Sequence, residues 1–251
     1  MSIALSTTEK LSLTIQRIIC FVTFSLLYPL AWLWFSCIMR YKVCELKATR
    51  RAFKKITKEQ CPILICPNHL TFVDSVILML IFNSYWGYLR HFNTLAWNFP
   101  KLEHIKNNWG YRFIIYIGKC IFINFQGSTN DVKSPMRKAE ALLAQHNFPM
   151  MFPEGTRSFT GRVNTKEFTY GIGQLIRDVP HTKVLCVYLR GHLQKSKSDF
   201  PDKGNRFYCR LTCISPYTDA QGLRATRDLA SQVIHTLAAM ENEYFKTQQA
   251  S

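Results

Sequence analysis

Two short segments of this chain carry residue types that can move protons and bind anions. The first reads Pro67-Asn68-His69-Leu70-Thr71-Phe72-Val73-Asp74-Ser75. With His69 in a turn and Asp74 in the first turn of a following helix, the carboxylate can accept a hydrogen bond from one ring nitrogen. That contact fixes the tautomer and leaves the other nitrogen free to take a proton. A base oriented in this way contributes about 10²- to 10⁴-fold in rate. It needs no nucleophilic Ser or Cys of the protein's own, because it can activate the hydroxyl of an acceptor. Taken alone, the H-x4-D spacing is equally compatible with a structural pair.

The second segment reads Phe152-Pro153-Glu154-Gly155-Thr156-Arg157-Ser158. A tight turn needs only its proline and glycine, yet this one adds an acid, a hydroxyl and an arginine. Arg157 offers a planar fork of donors suited to phosphate or carboxylate, and Gly155 lets backbone amides approach a ligand closely. Two readings stand: a clamp for a phosphate or headgroup, and a plain turn with a surface ion pair.

Both segments follow short apolar runs, and strand ends are where reactive groups collect in open α/β sheets. The run of patterns predicts strands over 62–66, 119–124, 148–152, 183–190 and 206–214, with helices over 71–83, 131–146, 166–178 and 220–245. The expected class is α/β, with a mostly parallel central sheet flanked by helices and an N-terminal membrane-embedded helical segment. Residues 1–59 are expected as anchor and basic juxtamembrane helix, and 60–251 as the catalytic domain. The charged stretch 42–60 reads as a hinge and 195–205 as a polar surface loop.

The anchor is the uncharged run IICFVTFSLLYPLAWLWFSCIM between Arg17 and Arg40, long enough for a hydrocarbon core that needs about 20 apolar residues. Pro29, followed by Trp32 and Trp34, sets a bent helix or hairpin lying in one leaflet against a full span. Arg40, Lys42, Lys47, Arg50, Arg51, Lys54, Lys55 and Lys58 come next and mark the cytoplasmic side. They account for part of the formal net charge of +16, from 32 basic and 16 acidic residues. Nucleic acid is not an expected partner, since no helix-turn-helix, zinc finger or RNP pattern accompanies the charge. The nine scattered cysteines form no metal-ligand pattern and read as reduced thiols.

Asn68-His69 with Asp74, followed by Phe152 to Ser158, resemble two signature blocks of the PlsC-type glycerolipid acyltransferases, which include the 1-acylglycerol-3-phosphate acyltransferases. The resemblance covers residues 61–191. It implies that His69 deprotonates an acceptor hydroxyl, which attacks an acyl thioester directly, while Asp74 orients the imidazole. Glu154, Gly155, Thr156 and Arg157 would line the acceptor site, with Asn68 and Ser158 supporting. It further implies acyl-CoA or an acyl-carrier protein as co-substrate, no bound cofactor or metal, and a lysophospholipid acceptor at a membrane with the catalytic domain on its cytoplasmic face. Two positions depart from the family pattern. Phe125 stands where a phosphate-associated arginine is usual, so Lys119, Arg112 or Lys133 could replace it, or the acceptor could lack the phosphate. Cys186 stands where a proline is usual. A lipid-binding protein of the same fold with little catalysis is the second reading, favoured by Phe125.

Overall fold

An apolar run with no polar alternation suits a strand covered on both faces, and Ile63–Pro67 is such a strand, buried at every residue. The computed structural model describes residues 5–104 and 108–249. In chain order these form α1 (Thr7–Leu33), continued by a π-helical turn at Trp34–Ile38, then β1 (Lys42–Val43), α2 (Leu46–Ile56) and β2 (Ile63–Pro67). Next come α3 (Asp74–Phe82), α4 (Tyr85–Arg90), β3 (Trp97–Asn98), α5 (Trp109–Ile117) and α6 (Thr129–Ala144). The remainder is β4 (Pro149–Met150), α7 (Gly171–Asp178), β5 (Lys183–Gly191), β6 (Arg206–Ile214) and α8 (Gly222–Gln249).

The strands make one curled sheet in the order β1-β6-β5-β2-β4-β3, parallel throughout except for the β5–β6 pair. Side chains alternate across it, as a strand's period of two requires. Ile63, Ile65, Leu185, Val187 and Leu189 face a core completed by α1, α3 and α4. Leu64, Cys66, Val184, Cys186 and Tyr188 face the core under α6, α7 and α8. Cys186 is the register partner of Cys66 in the second core, and both are fully buried. All nine cysteines are free thiols.

The stretch 42–60 is folded rather than hinge-like. β1 extends the sheet beside β6, Phe53 of α2 is buried and stacks on Phe82 of α3 at 4.4 Å, and Arg50 caps the end of α3 by donating to the Leu80 and Ile81 carbonyls. The expected strand 119–124 also does not form as a named strand. Lys119 takes a left-handed φ of 60°, and the neighbouring segment includes Pro100, which has no N–H to donate. Only the isolated bridges Asn98–Cys120 and Lys101–Ile123 remain. The helix expected from 166 begins at Gly171 instead, because Thr169 N donates to Pro153 O and holds the preceding residues against the second segment.

Helix α1 has two apolar faces of different kinds. Gln16, Cys20, Phe24 and Tyr28, spaced one turn apart, are buried against the body. Phe24 meets the rings of Tyr85, Tyr88 and Phe92 at 5.7–5.8 Å, and Gln16 Nε2 donates to the carbonyls of Tyr116 and Cys120. On the other side Leu11, Ile18, Val22, Leu26 and Leu30 are exposed. The stretch Thr7–Ile38 is long and apolar enough to cross a membrane, with an 18-residue window of mean hydropathy 1.9.

Gly173 in α7 lies so close to α8 that a Cβ there would fall 1.9 Å from Thr226 O. Helix propensity alone would make Gly173→Ala stabilising by about 1 kcal/mol. Overpacking against backbone costs about 1–3 kcal/mol or more, so the substitution should lower stability, read as an earlier midpoint in urea unfolding. A later midpoint would contradict this packing of α7 on α8.

Candidate active site

The strand β2 ends at Pro67, and Asn68 holds the exit of the chain against β5. Its side chain acts as an extra rung of the ladder: Nδ2 donates to Leu189 O at 3.1 Å and Oδ1 accepts from Leu189 N at 2.7 Å. Asn68 is 1% exposed, so its contribution is to fix where the next residue emerges. That residue is His69.

Asp74 opens α3 and is 3% exposed. Its Oδ2 accepts from Leu70 N and Thr71 N, both at 2.8 Å, and its Oδ1 accepts from Thr71 Oγ1. A carboxylate so bound acts as a local cap for the turn that precedes its own helix. The same Oδ2 lies 3.0 Å from His69 Nδ1. An acceptor there places the ring proton on Nδ1, so Nε2 carries the lone pair. Among the described residues Nε2 has no hydrogen-bond partner, and the His69 side chain is 20% exposed. The imidazole stacks on Phe152 with ring centroids 4.0 Å apart, which limits its rotation.

The second segment is locked onto the first. Glu154 Oε1 accepts from His69 N at 2.9 Å, and Ser158 N donates to His69 O at 2.9 Å. Glu154 Oε2 accepts from Asn164 N, and Ser158 Oγ donates to Arg162 O. Glu154 is 7% exposed. Burial pushes its carboxyl up from the usual 4.5 to about 7, against the lowering effect of the His69 and Asn164 amides. Gly155 adopts φ +67° with Thr169 Cγ2 2.3 Å from where a Cβ would stand, so the turn requires glycine.

The other residues expected here are placed differently. Thr156 is exposed. Arg157 points along the 195–205 loop, where Nη1 donates to Ser198 O at 3.0 Å and pairs with Asp199 Oδ1 at 2.5 Å. Asp199 is exposed, so this pair is one that a ligand anion can displace. Of the substitutes considered for the missing arginine, Lys119 is 0% exposed, with Nζ on the carbonyls of Phe92 and Leu95 and over the rings of Phe92 and Trp97. Burial lowers its ammonium to about 7, and it cannot meet a ligand. Arg112 lies over the Phe122 ring. The cation beside Phe125 is Lys101, with Nζ 5.3 Å from that ring's centroid.

A polar cluster that the motifs did not signal supports the second segment from behind. Glu241 of α8, 4% exposed, accepts from Arg162 Nε at 3.0 Å and from Val163 N. Arg190, at the end of β5, lies 3.9 Å from Glu241 and donates to the Gly161 and Gln194 carbonyls. Among the described residues no group of three or more His, Cys, Asp or Glu could hold a metal ion.

The arrangement can therefore perform one proton transfer, at His69 Nε2, beside a segment that fixes the imidazole's backbone. A family model described as Acyltransferase matches residues 49–190, more than half of the 251-residue chain. No curated protein matches the sequence.

The raised carboxyl of Glu154 makes a pH dependence with a definite sign. A group that holds its proton more tightly folded than unfolded contributes less stability as pH rises between the two values. Relative to Glu154→Gln, which does not titrate, the wild-type protein should lose about 3 kcal/mol of stability between pH 4.5 and 7. Urea unfolding of both proteins at the two pH values checks this, and a difference that stays constant with pH would contradict it.

Proposed function

Because the chain belongs to the acyltransferase family, the family of PlsC-type glycerolipid acyltransferases, we propose that it moves a fatty acyl group from an acyl thioester, acyl-CoA or an acyl-carrier protein, to a hydroxyl of a lysophospholipid such as 1-acylglycerol-3-phosphate. The observation that carries this reading is the His69–Asp74 contact of 3.0 Å, with Nε2 left open. His69 removes the acceptor's hydroxyl proton as the oxygen attacks the thioester carbonyl. Asp74, held by two backbone amides and Thr71, keeps the imidazole in the required tautomer and stabilises the imidazolium. The tetrahedral intermediate collapses with loss of the thiolate, which takes the proton back from His69. No acyl-enzyme forms, and the thioester itself supplies the driving energy.

Arg157 exchanges Asp199 for the acceptor's phosphate, an exchange of one charge-assisted pair for another. Lys101 provides the second cation beside Phe125. Lys101 follows β3, two strands away from β2, which puts it about 10 Å across the sheet from His69 at a spacing of about 4.8 Å per strand.

The anchor reading follows from the two faces of α1. A helix docked on the body from Gln16 to Phe35 and apolar on its outer face lies in the plane of one leaflet, with the basic residues after it at headgroup level on the cytoplasmic side. The alternative, a lipid-binding protein with little turnover, draws on Phe125 and makes a different prediction in the same assay.

With a labelled acyl thioester and a panel of lysophospholipids, wild-type protein should yield acylated product and His69→Ala should lose at least about 10²-fold in kcat while unfolding at the wild-type midpoint. Lys101→Gln should raise KM for phosphate-bearing acceptors with kcat largely kept. Lipid binding without turnover in the wild type would favour the non-catalytic reading, and unchanged turnover in His69→Ala would remove His69 from the mechanism.

A further inference from the structure

Most of the buried or half-buried arginines have a settled partner: Arg157 has Asp199, Arg162 and Arg190 have Glu241. Three exposed cations at the opposite edge of the sheet from Lys101 have none. Arg40, Lys42 and Arg206 form no salt bridge with any described acid, and together with His192, Tyr208 and Tyr244 they line a cavity of about 640 Å³. No Asp or Glu is among the lining residues.

The cluster is held together by the backbone. Lys42 and Arg206 are direct register partners in the β1–β6 pair, and like charges set opposite each other in a sheet are destabilising. Arg40 is held in the left-handed region at φ 54°, between Gly204 N, which donates to Met39 O at 2.7 Å, and Lys42 N, which donates to Asn205 O at 3.0 Å. The His192 ring accepts from Arg206 N at 2.8 Å and lies 3.0 Å from Asn205 Oδ1. Three segments, 40–42, His192 and Arg206, thus place exposed basic side chains around one concave space. Tyr208 and Tyr244, with ring centroids 5.0 Å apart, form the apolar wall and carry hydroxyls.

We propose that this cavity is an anion site, separate from His69 and Arg157, that takes a phosphate group. An anion there relieves the Lys42–Arg206 repulsion and accepts from the guanidinium forks of Arg40 and Arg206, which suit phosphate geometry. The phosphate can arrive on an anionic phospholipid headgroup, since the cavity lies at the foot of the apolar stretch ending at Ile38, or on a free nucleotide. The shared chemistry is the same, and two probes separate the sources.

The test uses the full chain in detergent at near-physiological salt, where exposed charges are screened beyond roughly 8 Å. Calorimetric titration with dihexanoyl-phosphatidylglycerol, dihexanoyl-phosphatidylcholine and adenosine 3′,5′-bisphosphate is carried out on four proteins. These are the wild type, Arg40→Gln/Arg206→Gln, Arg157→Gln, and Arg224→Gln/Arg227→Gln, the last removing equal charge from exposed positions of α8. The cavity variant should bind the anionic probe about tenfold or more weakly, as expected when two charge-assisted bonds are lost, while the Arg224→Gln/Arg227→Gln variant stays within about twofold of wild type. Loss of the phosphatidylglycerol signal identifies a headgroup site, and loss of the bisphosphate signal identifies a free-phosphate site. Equal affinity in the cavity variant, equal loss in the Arg224/Arg227 variant, loss confined to Arg157→Gln, or no binding of either anionic probe by the wild type overturns the proposal. Lys42→Gln serves in the same comparison if the double variant melts early.

Discussion

Glu154 is a carboxyl group largely withdrawn from water, and its two oxygens accept from backbone amides, His69 N on one side and Asn164 N on the other. Burying an acid in this way raises its proton affinity, so the contact is maintained only because the surrounding chain gives it donors. Much of the local architecture follows from supplying them. Gly155 must be left-handed to turn the acid inward, Thr169 must stay beside Pro153, which delays α7 to Gly171, and the 158–164 loop must be held by Arg162, Arg190 and Glu241. The imidazole stands on a backbone fixed from both sides, at its own N–H by Glu154 and at its carbonyl by Ser158. Residues on α8, far along the chain, take part in holding a histidine that lies at the end of β2.

The parts of this site that were legible in the sequence are the local ones. The His69–Asp74 pair depends on a spacing of a few residues across a strand–helix turn, and a turn of that length allows few other geometries. The lock between the two segments depends on strand order, and nothing in either segment alone specifies that β2 and β4 are neighbours. Arg157 was readable as an anion fork, but its present partner, Asp199, sits on a loop whose polar composition indicated only exposure. Lys119 shows the converse error. A lysine in an apolar run is normally at the surface, and here carbonyls and aromatic faces replace water around it.

The fold was legible to a similar depth. The long strands β5 and β6 and the helices α6 and α8 follow their hydrophobic patterns, whereas β3 and β4 have two residues each and exist only through pairing with neighbours. The basic stretch 42–60 read as a hinge because charge dominates its composition. Its buried residues are Thr49 and Phe53 of α2, and the stacking of Phe53 on Phe82, the pairing of β1 with β6 and the Arg50 contacts to the end of α3 together make it part of the body. In α1 the apolar residues run around the whole helix. Composition cannot separate the face that meets protein from the face that remains open, and the distinction appears only when Phe24 finds Tyr85, Tyr88 and Phe92.

The distribution of charge follows from the same logic. Acids are the minority, 16 against 32 cations, and several of them are occupied inside the protein. Asp74 is satisfied by Leu70 N, Thr71 N, Thr71 Oγ1 and His69, and Glu154 by two amides, so neither neutralises a lysine or arginine. Glu241 serves Arg162 and Arg190 together. Carboxylates held by dipoles stabilise a turn or an imidazole without drawing a cation inward. The cations left over collect where the backbone puts them, along α2, at Lys101 and around the Arg40–Lys42–Arg206 cavity. The excess positive charge is therefore not spread evenly over the surface. It is the complement of a site whose buried acids take their hydrogen bonds largely from the main chain, and it leaves anionic ligands as the remaining partners for those cations.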